Sequence, residues 1–361
     1  MSTVTVNLGS RSYDVRIEPG LIKTIGILVA EAGLGKHVAV ITDANVALHY
    51  SEVVLDDLRD AGFTVSCHLV PPGEGSKSME NVEHLCRSLI EHHHDRKSFV
   101  IALGGGVVGD LAGFVAAIFY RGIPFVQVPT TIVSQVDSSV GGKTGVNTPE
   151  GKNLVGAFHQ PRLVLVDPRT LATLPGRVYR EGYAEVIKHA AIRDAAMLDT
   201  LEALDPSVQE PDPQLLADNI AIKARIVEED EQETSGTRAL LNFGHTIGHA
   251  IEASVPYGKL LHGEAIALGM RAALFLSEQL TGLDPADSKR VIDLLAKFDL
   301  PLVLDDDIST VDILAHMARD KKFAAGQRTF VLLEKNGHAV THTGATDDLI
   351  NEAIGLLRSE A

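Results

Sequence analysis

The chain has 361 residues, 45% of them hydrophobic and 22% charged, with a formal net charge of −16. That balance is globular, and the acidic excess argues against nucleic acid and anionic membrane surfaces as partners; an anionic ligand would need locally gathered cations. The most apolar stretch, LAGFVAAIFYRGIPFVQV, is broken by Arg121 and Pro124, so no membrane span is expected, and the length favours two domains.

In chain order, MSTVTVNLGSRSYDVRI alternates like a strand and lacks the layout of a signal peptide. Cys67 and Cys86 stand far apart in no metal or redox spacing, which points to idle thiols in a reducing cytoplasm. Short β-branched runs then alternate with amphipathic stretches: HVAVITD, ANVALHYSEVVLDDLRDAG, TVSCHLV, MENVEHLCRSLIEHH, SFVIAL, DLAGFVAAIFYRG and FVQVPTT. Continuous apolar strands separated by helices indicate a parallel sheet covered on both faces, with ligands at the carboxyl ends of its strands. The triple histidine in EHHHDRKS reads as solvated loop, because adjacent side chains point in different directions.

SFVIALGGGVVGDLAGFVAAI reads as strand, glycine turn and helix, and Gly104, Gly106 and Gly109 satisfy G-x-G-x-x-G. Glycines there let the backbone approach a pyrophosphate at a helix amino terminus. The acidic residue expected to end the next strand is missing. Asp43, at the tip of HVAVITD, has two readings: a ribose ligand, or the N-cap of the following helix. The loop PPGEGSKS offers Glu74 and Lys77, and Thr130 and Thr131 close a third strand. Three strand ends with polar residues point to a bound dinucleotide.

SQVDSSVGGKTGVNTPEGKNLVGAFHQP, residues 134–161, reads as a long functional loop supplying Asp137, Lys143, Lys152 and Asn153. After PRLVLVDPRTLATLPGR the periodicity turns helical from Val178 to about Arg319, placing a domain boundary near Leu174 to Arg177. The expected domains are 1–176, α/β, and 177–361, mainly helical. The late run RTFVLLEKNGHAVTHT reads as a β-hairpin turning at Asn336-Gly337.

In REGYAEVIKHAAI, Glu185 and Lys188 share a helix face among apolar neighbours, either as an ordinary ion pair or as a buried pair that calls for a metal or anion. RALLNFGHTIGHAIE sets His245 and His249 four apart on one face, as two metal ligands or as two histidines facing a polar groove. Thr246 stands where a zincin needs glutamate, which removes the protease reading. His262, entering the apolar helix of LHGEAIALGM, is an N-cap or a third ligand. Glu185, His245 and His262 would form an open, catalytic type of zinc shell.

GGGVVGDLAGFVAA, VPTTIVSQVDSSVGGKTGVN, GKNLVGAFHQP, GYAEVIKHA, RALLNFGHTIGHAIE and LHGEAIALGM, in this order and spacing, resemble the 3-dehydroquinate synthase family over essentially the whole chain. The resemblance implies a lyase of the shikimate pathway that converts 3-deoxy-D-arabino-heptulosonate 7-phosphate to 3-dehydroquinate and phosphate. It implies transient oxidation by NAD, phosphate elimination, re-reduction and an intramolecular aldol closure, with zinc, or cobalt in its place, as the metal. The implied fold is an N-terminal Rossmann-like parallel-sheet nucleotide domain plus a mainly α-helical C-terminal metal-binding domain, in a cytoplasmic homodimer.

The family pattern carries the metal ligands onto Glu185, His245 and His262, which moves His249 to the substrate side. It places Asp43, Glu74, Lys77, Gly105, Gly106, Val107, Val108, Gly109, Asp110, Thr130, Thr131, Lys143, Lys152, Thr170 and Thr173 at the cofactor. Asp137, Lys143, Lys188, Asn242 and His249 carry catalysis; Lys152, Asn153, Lys223, Arg238 and one of Lys321 and Lys322, here Lys322, bind substrate. Arg121 matches a residue that reaches the phosphate from the other subunit. The stretch TSGT before Arg238 is one residue longer than the family pattern. Cyclases acting on sedoheptulose 7-phosphate commonly carry Asp and Pro where this chain has Asn242 and His249. Metal-dependent glycerol or alcohol dehydrogenases share the two-domain plan and lack the VGGKTGVN motif.

Overall fold

The computed structural model describes residues 1–319 and 329–359. The chain divides into two compact units, Met1–Leu174 with Gln209–Gln232, and Pro175–Val208 with Glu233–Ala361.

The first unit is built on strands β1 (Ser2–Val6), β2 (Tyr13–Ile17), β3 (His37–Asp43), β4 (Thr64–Val70), β5 (Phe99–Gly104), β6 (Phe125–Pro129) and β9 (Leu163–Val166), with the hairpin β7 (Lys143–Thr148) and β8 (Gly151–Phe158) outside the main sheet. The sheet runs β1-β2-β9-β6-β5-β3-β4, parallel throughout except for β1 against β2. Alternate residues serve two cores. Val100 and Ala102 of β5 pack with Val108, Leu111 and Val115 of α4 (Gly106–Ile118) and with Leu85 and Leu89 of α3 (Met79–Glu91). Phe99, Ile101 and Leu103 pack instead with Ile25 and Val29 of α1 (Ile25–Glu31) and Val54 and Leu58 of α2 (Ala44–Asp60). Both faces are covered at the centre of the sheet, so β5 is buried at every position rather than at every second one. From β3 the chain adds β4 on one side and β5 on the other, which makes the carboxyl ends of β3 and β5 a topological switch point.

Two expectations fail locally. Residues 134–161 are not an open loop: Ser134–Ser138 forms one π-helical turn, and β7 and β8 pair antiparallel. Gly141 (φ 99°) and Gly142 (φ 66°) turn the chain into the hairpin, and Thr144 and Val146 are buried while most of β8 stays exposed. Interspersed glycines dilute that alternation in the sequence. Nor is the triple histidine wholly solvated. The chain reverses at His93 (φ 60°), burying His94, whose Nε2 lies 2.6 Å from Ser66 Oγ. Ser66 Oγ also meets His68 Nε2 at 2.7 Å, and His68 Nδ1 meets Ser88 Oγ at 2.9 Å.

The second unit contains α5 (Gly176–Glu181), α6 (Tyr183–Arg193) and α7 (Ala195–Ala203). The next helix, α8 (Pro213–Glu229), departs from the expected 177–361 grouping and packs on β1 of the first unit. Glu228 Oε1 accepts from Asn7 N at 2.6 Å and Asn7 Nδ2 at 2.8 Å, and Glu231 pairs with Arg11. The second unit then resumes with α9 (His245–Ala253), α10 (His262–Leu280), α11 (Pro285–Lys297), α12 (Thr310–Arg319), the hairpin β10 (Phe330–Lys335) and β11 (His338–His342), and α13 (Asp347–Leu356). Ile247 and Ile251 of α9, Leu268 and Leu276 of α10, Leu332 and Ile354 share one core. α9 and α10 meet through glycine: a Cβ on Gly269 would lie 1.9 Å from the Gly244 carbonyl oxygen and 2.6 Å from Gly248 N. That approach lets histidines from both helices share one site.

Candidate active site

In the second unit, α6 presents Glu185, fully buried, with Lys188 one turn later donating to Oε2 of the carboxylate. Among the described residues Oε1 makes no conventional hydrogen bond; its neighbours are His245 Nε2 at 3.4 Å and His262 Nε2 at 3.3 Å. Each imidazole is oriented from behind. His245 Nδ1 donates to the Phe243 carbonyl at 3.0 Å, which leaves the Nε2 lone pair facing Oε1. His262 Nδ1 lies 3.3 Å from Glu252 Oε2. A carboxylate or carbonyl behind each imidazole is the arrangement that fixes metal-binding histidines. His249, one turn after His245 and exposed, joins them: one ring nitrogen from each of His245, His249 and His262 falls within a 4.8 Å group.

Electrostatics agree with the geometry. Burial pushes the Glu185 carboxyl up, but Lys188 and the imidazoles outweigh it and hold it well below the ordinary carboxylate range. Burial, then Lys188, keeps His245 low and hence neutral. His262 goes the other way: burial is overcome by Glu185 and Glu252, raising it to about 10. Glu185 and His262 favour their charged forms through each other, while His245 stays neutral with its Nε2 lone pair turned toward Oε1. Two imidazoles and a carboxylate suit zinc or cobalt, so the donor set fits a divalent transition ion. Arg238 in the same unit is buried, with Glu233 Oε1 3.8 Å from its Nε. Asn242 is half-buried just before α9. Lys321 and Lys322 lie outside the described residues.

In the first unit, α4 starts at Gly105, which as glycine supplies no side-chain cap; Gly106, Val107 and Val108 follow in the first turn, and Gly109 N donates to Gly105 O at 3.0 Å. At neighbouring strand ends the buried hydroxyls of Thr42 and Thr130 have no hydrogen-bond partner among the described residues. An uncapped helix start beside two orphaned hydroxyls fits a pyrophosphate-bearing dinucleotide. Asp43 is observed as the N-cap of α2, accepting from Asn45 N at 2.8 Å and Val46 N at 3.0 Å. Thr131 bonds Ser134, and Thr170 Oγ1 is engaged by Gln135 Nε2 at 3.1 Å, while Thr173 meets Tyr50 Oη at 2.7 Å.

Lys77 is buried and already committed. Its Nζ donates to Asp110 Oδ2 at 2.6 Å and to Asn153 Oδ1 at 2.5 Å, with Glu74 Oε1 at 3.6 Å. Burial raises the Asp110 carboxyl, and Lys77 only partly offsets it. Lys223, on α8, donates to Asp137 O at 2.6 Å and Asp137 Oδ1 at 2.7 Å. The displaced helix α8 therefore brings a substrate candidate onto a catalytic one. Lys143 and Lys152 are exposed on the hairpin, and Arg121 is exposed at a left-handed φ of 71°. Sequence reasoning passed over Glu252 and Asn147. Glu252 lies seven residues after His245, on the same helix face, a spacing that could have flagged it.

Fold and site define an α/β enzyme that joins a dinucleotide-type sheet to a separate unit with a carboxylate–imidazole centre. Family models described as 3-dehydroquinate synthase N-terminal and 3-dehydroquinate synthase C-terminal match residues 67–181 and 182–323. A 3-dehydroquinate synthase from Caulobacter vibrioides is 49% identical over 93% of this chain and 94% of its own. Among solved structures, 2-epi-5-epi-valiolone synthase from Streptomyces hygroscopicus subsp. jinggangensis, with NAD+ and Zn2+ bound, has a TM-score of 0.87 and 29% identity over 96% of each chain. A 2-deoxy-scyllo-inosose synthase complexed with carbaglucose-6-phosphate, NAD+ and Co2+ has a TM-score of 0.86 and 26% identity, covering 98% of this chain and 99% of that one. The chain belongs to the 3-dehydroquinate synthase family.

Proposed function

We propose that the chain converts 3-deoxy-D-arabino-heptulosonate 7-phosphate to 3-dehydroquinate and phosphate, using NAD and a divalent ion, zinc or cobalt. The observation that carries the reading is the Glu185–His245–His262 centre, built on a fully buried carboxylate, together with Asn242 and His249, the two positions at which sedoheptulose-type cyclases depart. When bound, NAD supplies a hydride acceptor that is regenerated, and the divalent ion supplies Lewis acidity toward substrate hydroxyls. Glu185, His245 and His262 are the ligands that would hold the ion. Gly105, Gly106, Val107, Val108, Gly109, Asp110, Thr130, Thr131, Thr170, Thr173, Asp43, Glu74 and Lys77 form the cofactor seat.

The remaining groups handle an anionic substrate in an acidic protein. Lys152, Asn153, Lys188, Lys223, Arg238 and Lys322 bind its carboxylate, hydroxyls and phosphate; Asp137 and Lys143 hold protons near the reacting hydroxyl. His249 moves a proton on the substrate side. The exposed Arg121, set at a left-handed turn, supports a homodimer in which it serves the partner's phosphate. The two free thiols, Cys67 and Cys86, support a cytoplasmic setting. Phosphate release from the heptulosonate phosphate, with NAD and zinc and again with chelator, tests the reading. No release, or equal release from sedoheptulose 7-phosphate, would reject it. The grouping of three imidazoles within 4.8 Å favours a second reading of the ligand set, in which His249 also binds the ion.

A further inference from the structure

The hairpin β7–β8 carries a register shift: Val146 pairs with Val155, but Thr148 pairs with Gly151, so Asn147 alone stands opposite three residues of β8, Lys152, Asn153 and Leu154, and the bulge lies on β8. Bulges re-aim side chains and recur beside active sites. The backbone amide of Asn147 leaves the hairpin altogether and donates to the Lys77 carbonyl at 2.8 Å. Its side chain points two ways: Nδ2 donates to Glu74 Oε1 at 2.8 Å, and Oδ1 accepts from Asn153 N at 2.9 Å.

Asn153 has a left-handed φ of 55°, a conformation that a residue with a side chain keeps only when its surroundings over-determine it. Two contacts do so here. Asn147 holds its amide, and Lys77 Nζ holds its Oδ1 at 2.5 Å. With the carbonyl end of the side chain turned to the ammonium, the end of Asn153 left to face a ligand is the Nδ2 donor. That suits a hydroxyl or anionic oxygen.

We propose that Asn147 is a positioning residue: one side chain sets both the loop Glu74–Lys77 and the conformation of Asn153, so that the cofactor and substrate groups keep a fixed register. The inference rests on the reading of Glu74 and Lys77 as cofactor groups and Asn153 as a substrate group. Asn147 touches neither ligand itself and acts through these neighbours.

A double-mutant cycle on the full chain with NAD and zinc tests this. Asn147→Ala is expected to raise KM for the heptulosonate phosphate on the order of ten-fold, with kcat within about two-fold, as for lost hydrogen bonds behind a binding group. NAD binding, titrated separately without substrate, weakens too. Asn153→Ala raises KM by itself, and the double variant is no worse than Asn153→Ala. Asn147→Asp keeps the acceptor for Asn153 but sets a second carboxylate against Glu74, so KM stays near the parent while NAD binding weakens. This variant carries the test if the alanine variant fails to fold. Multiplying losses, or an unchanged KM in Asn147→Ala beside a raised one in Asn153→Ala, would overturn the inference. An unchanged KM in Asn153→Ala overturns the substrate reading of Asn153, and the inference with it.

Discussion

Glu185 carries two opposite demands on one carboxylate: Oε2 neutralises a buried lysine, while Oε1 is left facing two imidazoles. Glu185→Gln keeps the shape and removes the charge. The expected outcome is loss or great weakening of metal binding and no turnover, with NAD binding retained; metal analysis of the purified variant decides it, and full zinc occupancy with normal activity would reduce Glu185 to half of an ion pair. His249→Ala is expected to differ, keeping its metal while the rate falls on the order of 10²–10⁴-fold, the usual worth of assisted proton transfer. If that variant loses stoichiometric zinc, the three-imidazole reading is correct. At this scale the sequence named the residues because histidine and glutamate are rare on apolar helix faces. Glu252 was within reach of the same helix-spacing argument, but Asn147 was not, because its relevance comes from what it touches across the fold.

One acid-sensitive element is the edge formed by β4 and the end of α3, where His68 and His94 share Ser66. Burial, then nearby histidines, lowers both from an ordinary 6.5 to about 4. Between those values the unfolded chain binds protons that the folded chain refuses, so stability is intact above pH 6.5 and falls as pH drops toward 4. Thermal melts of the parent and of His68→Asn/His94→Asn are expected to show a shallower pH dependence in the variant between pH 6.5 and 5. Equal slopes would mean that other groups govern acid stability. This edge also marks the limit of reading elements from sequence. The strands and helices of the sheet were legible because their periodicity is local. The burial of His94 was not, since it follows from one left-handed residue, His93. Nor was the place of α8, whose periodicity marks it as a helix without saying which core it covers; it packs against β1, more than 200 residues earlier in the chain, with Asn7 and Arg11 bonding its end.

At the scale of the whole molecule the open issue is why an enzyme with an NAD-type sheet would not act as a dehydrogenase. The proposed product differs from the substrate by the elements of phosphoric acid alone, so the overall conversion is redox-neutral and consumes no cofactor. The chain's charges fit that chemistry: in a protein of net charge −16, Lys188 and Arg238 are buried and Lys152 is presented on the hairpin, an investment in cations that an uncharged polyol would not need. Incubated with heptulosonate phosphate and NAD, the protein is expected to release phosphate steadily while absorbance in the NADH band shows no net rise, and NAD is expected to be needed only in stoichiometric or trace amounts. A dehydrogenase built on the same plan must accumulate NADH one for one with product. Following both signals in one cuvette separates the two, because phosphate release with a flat NADH trace is incompatible with net oxidation, and steady NADH formation from glycerol without phosphate chemistry is incompatible with the cyclase.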